Sequence, residues 1–252
     1  MDDLWNDQPR QWLRSARKLL RLPASSDVGK ISKLTSSLLS LATPHIRPSL
    51  IDSVIISYPA LPGLYAEDIS DVGHYLALPL RAGNHHYPPR SIVSAYAGYG
   101  MGLCSSYNNE EQCRDEGMAL PVRSTLFVEC TYVAILLHGT TMCEAYDLGD
   151  PDADISTHFF SSSETANEQI RTEITREKVM ELVRRFLKHS PPPENITVLL
   201  VGDADMEAVR EVVYSAVEDE GFKVNMLEPS DPGFVTARGA AELAWRALLL
   251  AK

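Results

Sequence analysis

The reading of the fold turns on residues 195–252, NITVLLVGDADMEAVREVVYSAVEDEGFKVNMLEPSDPGFVTARGAAELAWRALLLAK. Ile196–Val201 is a continuous apolar, β-rich run of the length expected for a buried strand. Gly202-Asp203-Ala204-Asp205 breaks it, and Met206, Val209, Val212, Val213, Ala216 and Val217 then return at helical spacing. Phe222–Leu227 reads as a second short strand, and Ser230-Asp231-Pro232 opens a last helix with a capping side chain ahead of a proline. On that helix Arg238, Glu242 and Arg246 form one narrow charged stripe among apolar residues, which predicts a helix buried on most sides.

Two parts of this stretch, VLLVGDADMEAVREVV and DPGFVTARGAAELAWRAL, resemble the adenosine-binding segment and final helix of the ATPase domain in DnaK-type heat-shock chaperones. That domain belongs with actin and the sugar kinases. The family's "ArGAA" segment stands as Ala237-Arg238-Gly239-Ala240-Ala241, whereas Asp203 takes the place of the second of its paired glycines.

Upstream, Ile51–Tyr58 reads as an apolar strand ended by Pro59-Ala60-Leu61-Pro62-Gly63, and Tyr65–Leu78 as a helix. After the loop Asn84–Arg90, residues Ser91–Ala97 can be strand or short helix before Gly98-Tyr99-Gly100-Met101-Gly102. This stretch is similar to the chaperone segment in which a strand ends in a "VPA" tripeptide and a helix leads to an "EPtAAalaYG" turn. Ser57–Ala60 and Ser94–Gly100 occupy those places. The resemblance covers about residues 45–150 and 165–250. It implies a truncated, degenerate two-lobe α/β ATPase fold of the actin-like, ribonuclease-H-like kind with mixed sheets. The first lobe would be residues 1–122, with an N-terminal helical segment. The second would be residues 123–252, with a shortened helical insertion.

After a loop at Asn108–Pro121, Thr125–Glu129 and Tyr132–Leu137 read as strands, and Met142–Tyr146 as a third. In the family this is a β-meander whose first turn holds phosphate through an Asp-x-Gly-Gly-Gly-Thr loop. Here the turn is Glu129-Cys130-Thr131-Tyr132, which contains no glycine. Close approach of backbone N–H groups to phosphate needs residues without a Cβ. The family's first phosphate loop is an N-terminal glycine-rich hairpin, but residues 1–50 read as helices and contain only Gly29. Both cradles are missing, so ATP hydrolysis is not expected. Residues 150–166, rich in Ser and Asp, read as a loop. Asn167–His189 reads as a long helix, and Ser190–Glu194 as a stiff proline connector.

At the N-terminus, residues 4–21 alternate Trp5, Trp12, Leu13, Leu19 and Leu20 with Arg10, Arg14, Arg17 and Lys18, an amphipathic helix whose basic face is expected in solvent. A second helix is expected over Ser26–Ala42. The start lacks the pattern of a signal peptide, and no run of about 18 apolar residues is present. A net charge of −11 argues against nucleic acid and anionic membrane surfaces. Cys104, Cys113, Cys130 and Cys143 show no zinc spacing and are read as reduced thiols of a cytoplasmic protein.

The candidate chemistry sits where α/β folds place ligands, at the carboxyl ends of strands. Glu129, Asp203 and Asp205 could supply an acid and a base or hold a divalent metal, although Asp203 or Asp205 can equally cap the following helix. Gly98, Gly100, Met101, Cys130, Thr131, Gly202 and Ala204 are the expected ligand-binding residues of an interlobe cleft. His138 is read as structural, and the adjacent His85 and His86 point apart in an extended chain. No metal site and no cofactor are expected. Two function classes follow. One is a non-hydrolysing, repurposed ATPase-fold protein that binds a small ligand or a protein partner. The other is a cofactor-independent cyclase or isomerase that uses the same cleft. A homodimer through the first lobe is expected, with the N-terminal helices folding back as an internal cover as the alternative.

Overall fold

In the computed structural model, which describes residues 7–45, 54–80, 88–145, 154–165, 167–186, 193–227 and 231–250, the apolar run at 195–202 is an inner strand of a five-stranded mixed sheet. The protein is mixed α/β. In chain order the helices and strands are α1 (Gln8–Leu19), α2 (Ser26–Ala42), α3 (Ala66–Leu76), α4 (Ser91–Gly98), α5 (Glu110–Met118), β1 (Arg123–Cys130), β2 (Ala134–Met142), β3 (Asp154–Phe159), α6 (Ser162–Thr165), α7 (Glu168–Phe186), β4 (Asn195–Gly202), α8 (Met206–Asp219), β5 (Lys223–Leu227) and α9 (Val235–Leu250).

The sheet runs β3-β2-β1-β4-β5. β1, β2 and β3 form an antiparallel meander, while β4 lies parallel to β1 and β5 parallel to β4. Side chains alternate across a strand, so one face carries Leu126, Val128, Ile196, Val198 and Leu200. These pack with Val179, Leu182 and Val183 of α7 and Val213, Ala216 and Val217 of α8 in one dry core. The opposite face carries Thr125, Phe127, Glu129, His138, Thr140, Thr197 and Leu199. It buries hydroxyls and an imidazole among its apolar groups.

Two compact units divide the chain, one of residues 1–58 and 63–89 and the other of residues 59–62 and 90–252. Helices α4 and α5 therefore belong to the same unit as the sheet. In that unit α4 and α9 cross at almost bare backbone. A Cβ on Gly239 would lie 1.7 Å from the carbonyl oxygen of Ser94, and one on Gly98 would lie 2.2 Å from that of Val235. Every residue from Ser91 to Ala97 is buried. A helix buried all round has no amphipathic period, which is why its sequence reads equally as strand or helix. The charged stripe of α9 ties off carbonyl groups. Arg238 donates to Gly98 O at 2.9 Å, Arg246 donates to Cys104 O, and its guanidinium stands 4.9 Å from the ring of Tyr107. The outer side of α9 is open, with Phe234 just before it and Trp245 on it exposed, so the helix is less enclosed than its composition predicts.

The first unit is built differently. Ala24, Val28 and Val72 form a small apolar cluster that includes Ile31, Ile56 and Leu76. Beside it α1 lies on α3 through charge. The guanidinium of Arg14 is buried between Asp68 (2.6 Å) and Asp71, Arg10 reaches Glu67 at 2.8 Å, and Lys18 reaches Asp71 at 3.0 Å. The expected arrangement of α1 is thus inverted. Its basic face is the docked one, because three carboxylates on one side of α3 hold it.

Other expectations change as well. The stretch 108–121 contains helix α5, nucleated by Asn109, whose side chain accepts from Gln112 N, and by two acidic residues in its first turn. The third meander strand is β3 rather than Met142–Tyr146. It lies within the polar 150–166 stretch, where an edge strand pairing on one side tolerates Ser, Thr and His. Of Ile51–Tyr58, residues 51–53 lie outside the described residues, and Val54 makes only an isolated bridge to Leu80. His85, His86 and Trp5 also lie outside the described residues. Cys104 and Cys113 form a disulfide with Cα atoms 5.2 Å apart, and Cys130 and Cys143 are free thiols. That pairing removes the thiol argument for a reducing compartment. Among the described residues no helix is long and apolar enough to cross a membrane.

Candidate functional site

Parallel pairing brings the ends of β1 and β4 level, with Glu129 opposite Val201 and Cys130 opposite Gly202. Gly202 sits at φ +131° with its Cα so close to β1 that a Cβ would lie 1.8 Å from the carbonyl oxygen of Cys130. Only glycine fits that crossing. The chain then turns, Ala204 N donates to Cys130 O at 3.3 Å, and Asp205 caps α8 by accepting from the N–H groups of Glu207 (3.1 Å) and Ala208 (3.4 Å). Of the two readings of Asp205, the cap is the one its geometry meets.

Alternation separates Glu129 from Cys130. Glu129 turns toward α4, where the Ser91 hydroxyl points at its Oε2 from 3.5 Å. Burial raises the carboxyl above its ordinary range. The Ser91 hydroxyl opposes that rise and the nearby charge of Asp203 adds to it. Such a carboxyl keeps its proton closer to neutrality than an exposed one. Asp203 itself is exposed at the strand end. Cys130 turns to the other face, where burial pushes its thiol up to about 11, Arg171 pulling it down and Asp203 adding to the rise. It is therefore a neutral wall rather than a nucleophile.

On the Cys130 face a pocket opens between the first turns of α7 and α8, lined by Cys130, Arg171, Thr172, Ala204, Asp205 and Ala208 among others. Its enclosed space is about 30 Å³, and about 370 Å³ with its open mouth. The guanidinium of Arg171 lies 5.8 Å from the ring centroid of Tyr132, and its Nε is buried without a hydrogen-bond partner. The pocket thus gathers Cys130, Ala204 and Asp205 from the expected site residues and adds Arg171 and Thr172. The sequence reading missed those two because it followed only the apolar stripe of that helix.

The remaining expected residues lie elsewhere. Thr131 closes the β1–β2 turn, its hydroxyl accepting from Ala134 N at 3.1 Å and from Val133 N at 3.4 Å. Gly98 belongs to the α4–α9 crossing, Gly100 makes the left-handed turn after it at φ +75°, and Met101 N donates to Tyr96 O at 3.1 Å. These three serve the end of α4 and do not line the pocket. Ser91, which the sequence reading did not single out, brings its hydroxyl to Glu129.

Deeper on the α4 face of the sheet, both nitrogens of His138 and the hydroxyls of Ser94 and Thr140 are buried without partners. Burial, and then the charge of Arg90, lower His138 to about 4, so it is a neutral imidazole at physiological pH. Among the described residues no group of three His, Cys, Asp or Glu side chains is placed to hold a metal ion. No family model matches the chain, and no curated protein is significantly similar to it in sequence.

Proposed function

We propose that the chain is a degenerate ATPase-fold protein of the actin and heat-shock chaperone kind that binds a small planar ligand of nucleoside type without hydrolysing a phosphate. The observation that carries this reading is the pocket wall. Ala204 and Asp205, from the segment that resembles the family's adenosine-binding segment, line the same pocket as Arg171. A guanidinium plane stacks well on an aromatic ring, and the unpartnered Nε is a donor in want of an acceptor. The enclosed space is too small for a nucleoside, so the ring would lie in the mouth against Arg171. The meander with two parallel strands added beside β1 agrees with the lobe topology that the resemblance implies.

The absence of phosphate chemistry has its own support. The β1–β2 turn has no glycine, and the N–H groups of Val133 and Ala134 are engaged by Thr131. Asp203 and Asp205 place exposed negative charge at the strand end, which repels a polyphosphate. Titration calorimetry with adenosine, ADP and magnesium-ATP tests the reading. Adenosine is expected to bind at least as tightly as the phosphorylated forms, and Arg171→Ala to weaken it about tenfold, the effect of losing one stacking contact. Magnesium-dependent phosphate release that Glu129→Ala abolishes would overturn it. The second reading, a cofactor-independent cyclase or isomerase, draws on the raised Glu129 carboxyl beside Ser91, which suits a general acid.

A further inference from the structure

The Cys104–Cys113 disulfide joins the loop after α4 to the first half of α5, and its two sulfurs sit in unlike surroundings. Cys104 is buried, at 6% of full exposure, whereas Cys113 is half-buried on its helix. Arg246 brings Nη1 to 3.9 Å from the Cys104 sulfur and donates to the Cys104 carbonyl oxygen. The same guanidinium is fixed on its other sides by the Glu242 carboxylate at 2.7 Å and by the ring of Tyr107. Arginine keeps its charge throughout the physiological pH range. Glu242 is partly open to water, which screens it, while the Arg246 side chain is shielded. One sulfur of the pair therefore has a buried cation beside it.

We propose that this disulfide is a thiol-exchange site of fixed polarity, opened by a low-molecular-mass thiol of the glutathione class. The thiolate of the incoming thiol attacks the Cys113 sulfur, the more accessible of the two. A new sulfur–sulfur bond forms there, the Cys104–Cys113 bond breaks, and its electron pair leaves on Cys104 as a thiolate held against Arg246. A second thiol attacks the sulfur of the first in that mixed disulfide, frees Cys113 and departs as the oxidised disulfide. Two electrons have then entered the cysteine pair. The two thiol protons go to Cys113 and to solvent, since Cys104 stays ionised. Attack by the Cys104 thiolate on the mixed disulfide at Cys113 runs the first step backwards and recloses the ring.

Other bonds keep the two sulfurs within reach once the covalent one is open. Glu116 of α5 accepts from Ser105 N at 2.5 Å, from Ser106 N at 3.2 Å and from the Ser106 hydroxyl at 2.5 Å. Asn109 N donates to Ser106 O at 2.9 Å, and Arg246 holds Cys104 by its carbonyl. Loop and helix stay in register without the disulfide, as reversible exchange requires. A cation beside one sulfur makes that sulfur a better leaving group, which works against a permanent staple. Cys143 is engaged at the far end of α5, where its thiol donates to Leu120 O at 3.2 Å.

The test exposes the oxidised full chain to millimolar glutathione, quenches it in acid and maps the adducts by peptide mass spectrometry. Glutathione is expected on Cys113 in about tenfold excess over Cys104. Arg246→Gln, which can still donate to the Cys104 carbonyl, is expected to slow opening about tenfold. Arg246→Lys is expected to restore most of the rate, because the leaving thiolate needs a charge more than a shape. Cys143→Ser is expected to change neither the rate nor the site of the adduct. Glutathione found equally on both sulfurs, or chiefly on Cys104, overturns the proposal. So does an opening rate indifferent to Arg246→Gln in a variant that keeps the wild-type circular dichroism spectrum. A disulfide that glutathione opens only after urea unfolds the chain overturns it as well and makes the pair a staple. If Arg246→Gln does not fold, the adduct map of the wild-type chain decides the matter.

Discussion

Helices α1 and α3 meet through ions, with Arg14 between Asp68 and Asp71. Helices α4 and α9 meet through backbone, with Gly239 set against the carbonyl of Ser94. The first contact fixes a helix while leaving its apolar side unspent, because carboxylates hold the guanidinium and the leucines take no part. The second removes side chains so that two helices approach closely, and Ser91–Ala97 and Gly239 are buried by it. An ion-paired contact positions a surface for another use. A glycine contact commits its helices to one core.

The largest effect is expected at Arg14. Arg14→Ala leaves Asp68 and Asp71 buried without their guanidinium and should cost about 4 kcal/mol of unfolding free energy. Urea unfolding followed by circular dichroism measures it. A loss below about 1 kcal/mol would show that this cluster behaves like solvated surface pairs and would dissolve the contrast.

Gly239→Ala tests the other contact. The new methyl meets backbone rather than a side chain that can swing away, so a loss of about 3 kcal/mol is expected in the same assay. A change under about 0.5 kcal/mol would mean that α9 can slide along α4, and that the crossing is not committed at all.

The smallest effect sharpens the contrast. Tyr99, just past α4, donates its hydroxyl to Leu200 O at 2.7 Å, and burial raises the phenol to about 12 despite that bond and the charge of Arg238. Tyr99→Phe removes one donor from the carbonyl and should cost about 1 kcal/mol. A much larger loss would make this bond, rather than the glycines, the main tie of α4 to the sheet.

Element type was legible in the sequence where the apolar pattern is strong, periodic in a helix or continuous in a strand buried on both faces. Ser26–Ala42 is a helix over those same bounds, and the strand Ile196–Val201 and the helix after it lie where their patterns put them. Legibility failed where periodicity carries no such meaning. β3 is an edge strand with Ser156, Thr157 and His158, so its composition reads as loop. α5 owes its start to a cap and to acidic residues rather than to an apolar stripe. α1 shows the deeper limit. Its amphipathic pattern is plain, yet the pattern alone does not say which face is docked, because that depends on three carboxylates more than 45 residues away. In the candidate site, the Asp205 cap and the glycine at 202 were visible as residue types at a strand end. Arg171 and Ser91 were not, since what matters about each is the neighbour that folding supplies.

At Gly202 the main chain of β4 rests directly on the main chain of β1, and Asp203, Ala204 and Asp205 follow on the outer side of that contact. On this side the outline of the pocket wall is therefore set by backbone, while its chemical character is set by the side chains of Ala204 and Asp205. Outline and character can then drift independently over evolutionary time. A replacement at 204 would change the chemistry of the wall without moving it, and any replacement at 202 would move the wall before it changed the chemistry. Such an arrangement lets the chemistry of the wall change while the fold around the pocket stays intact.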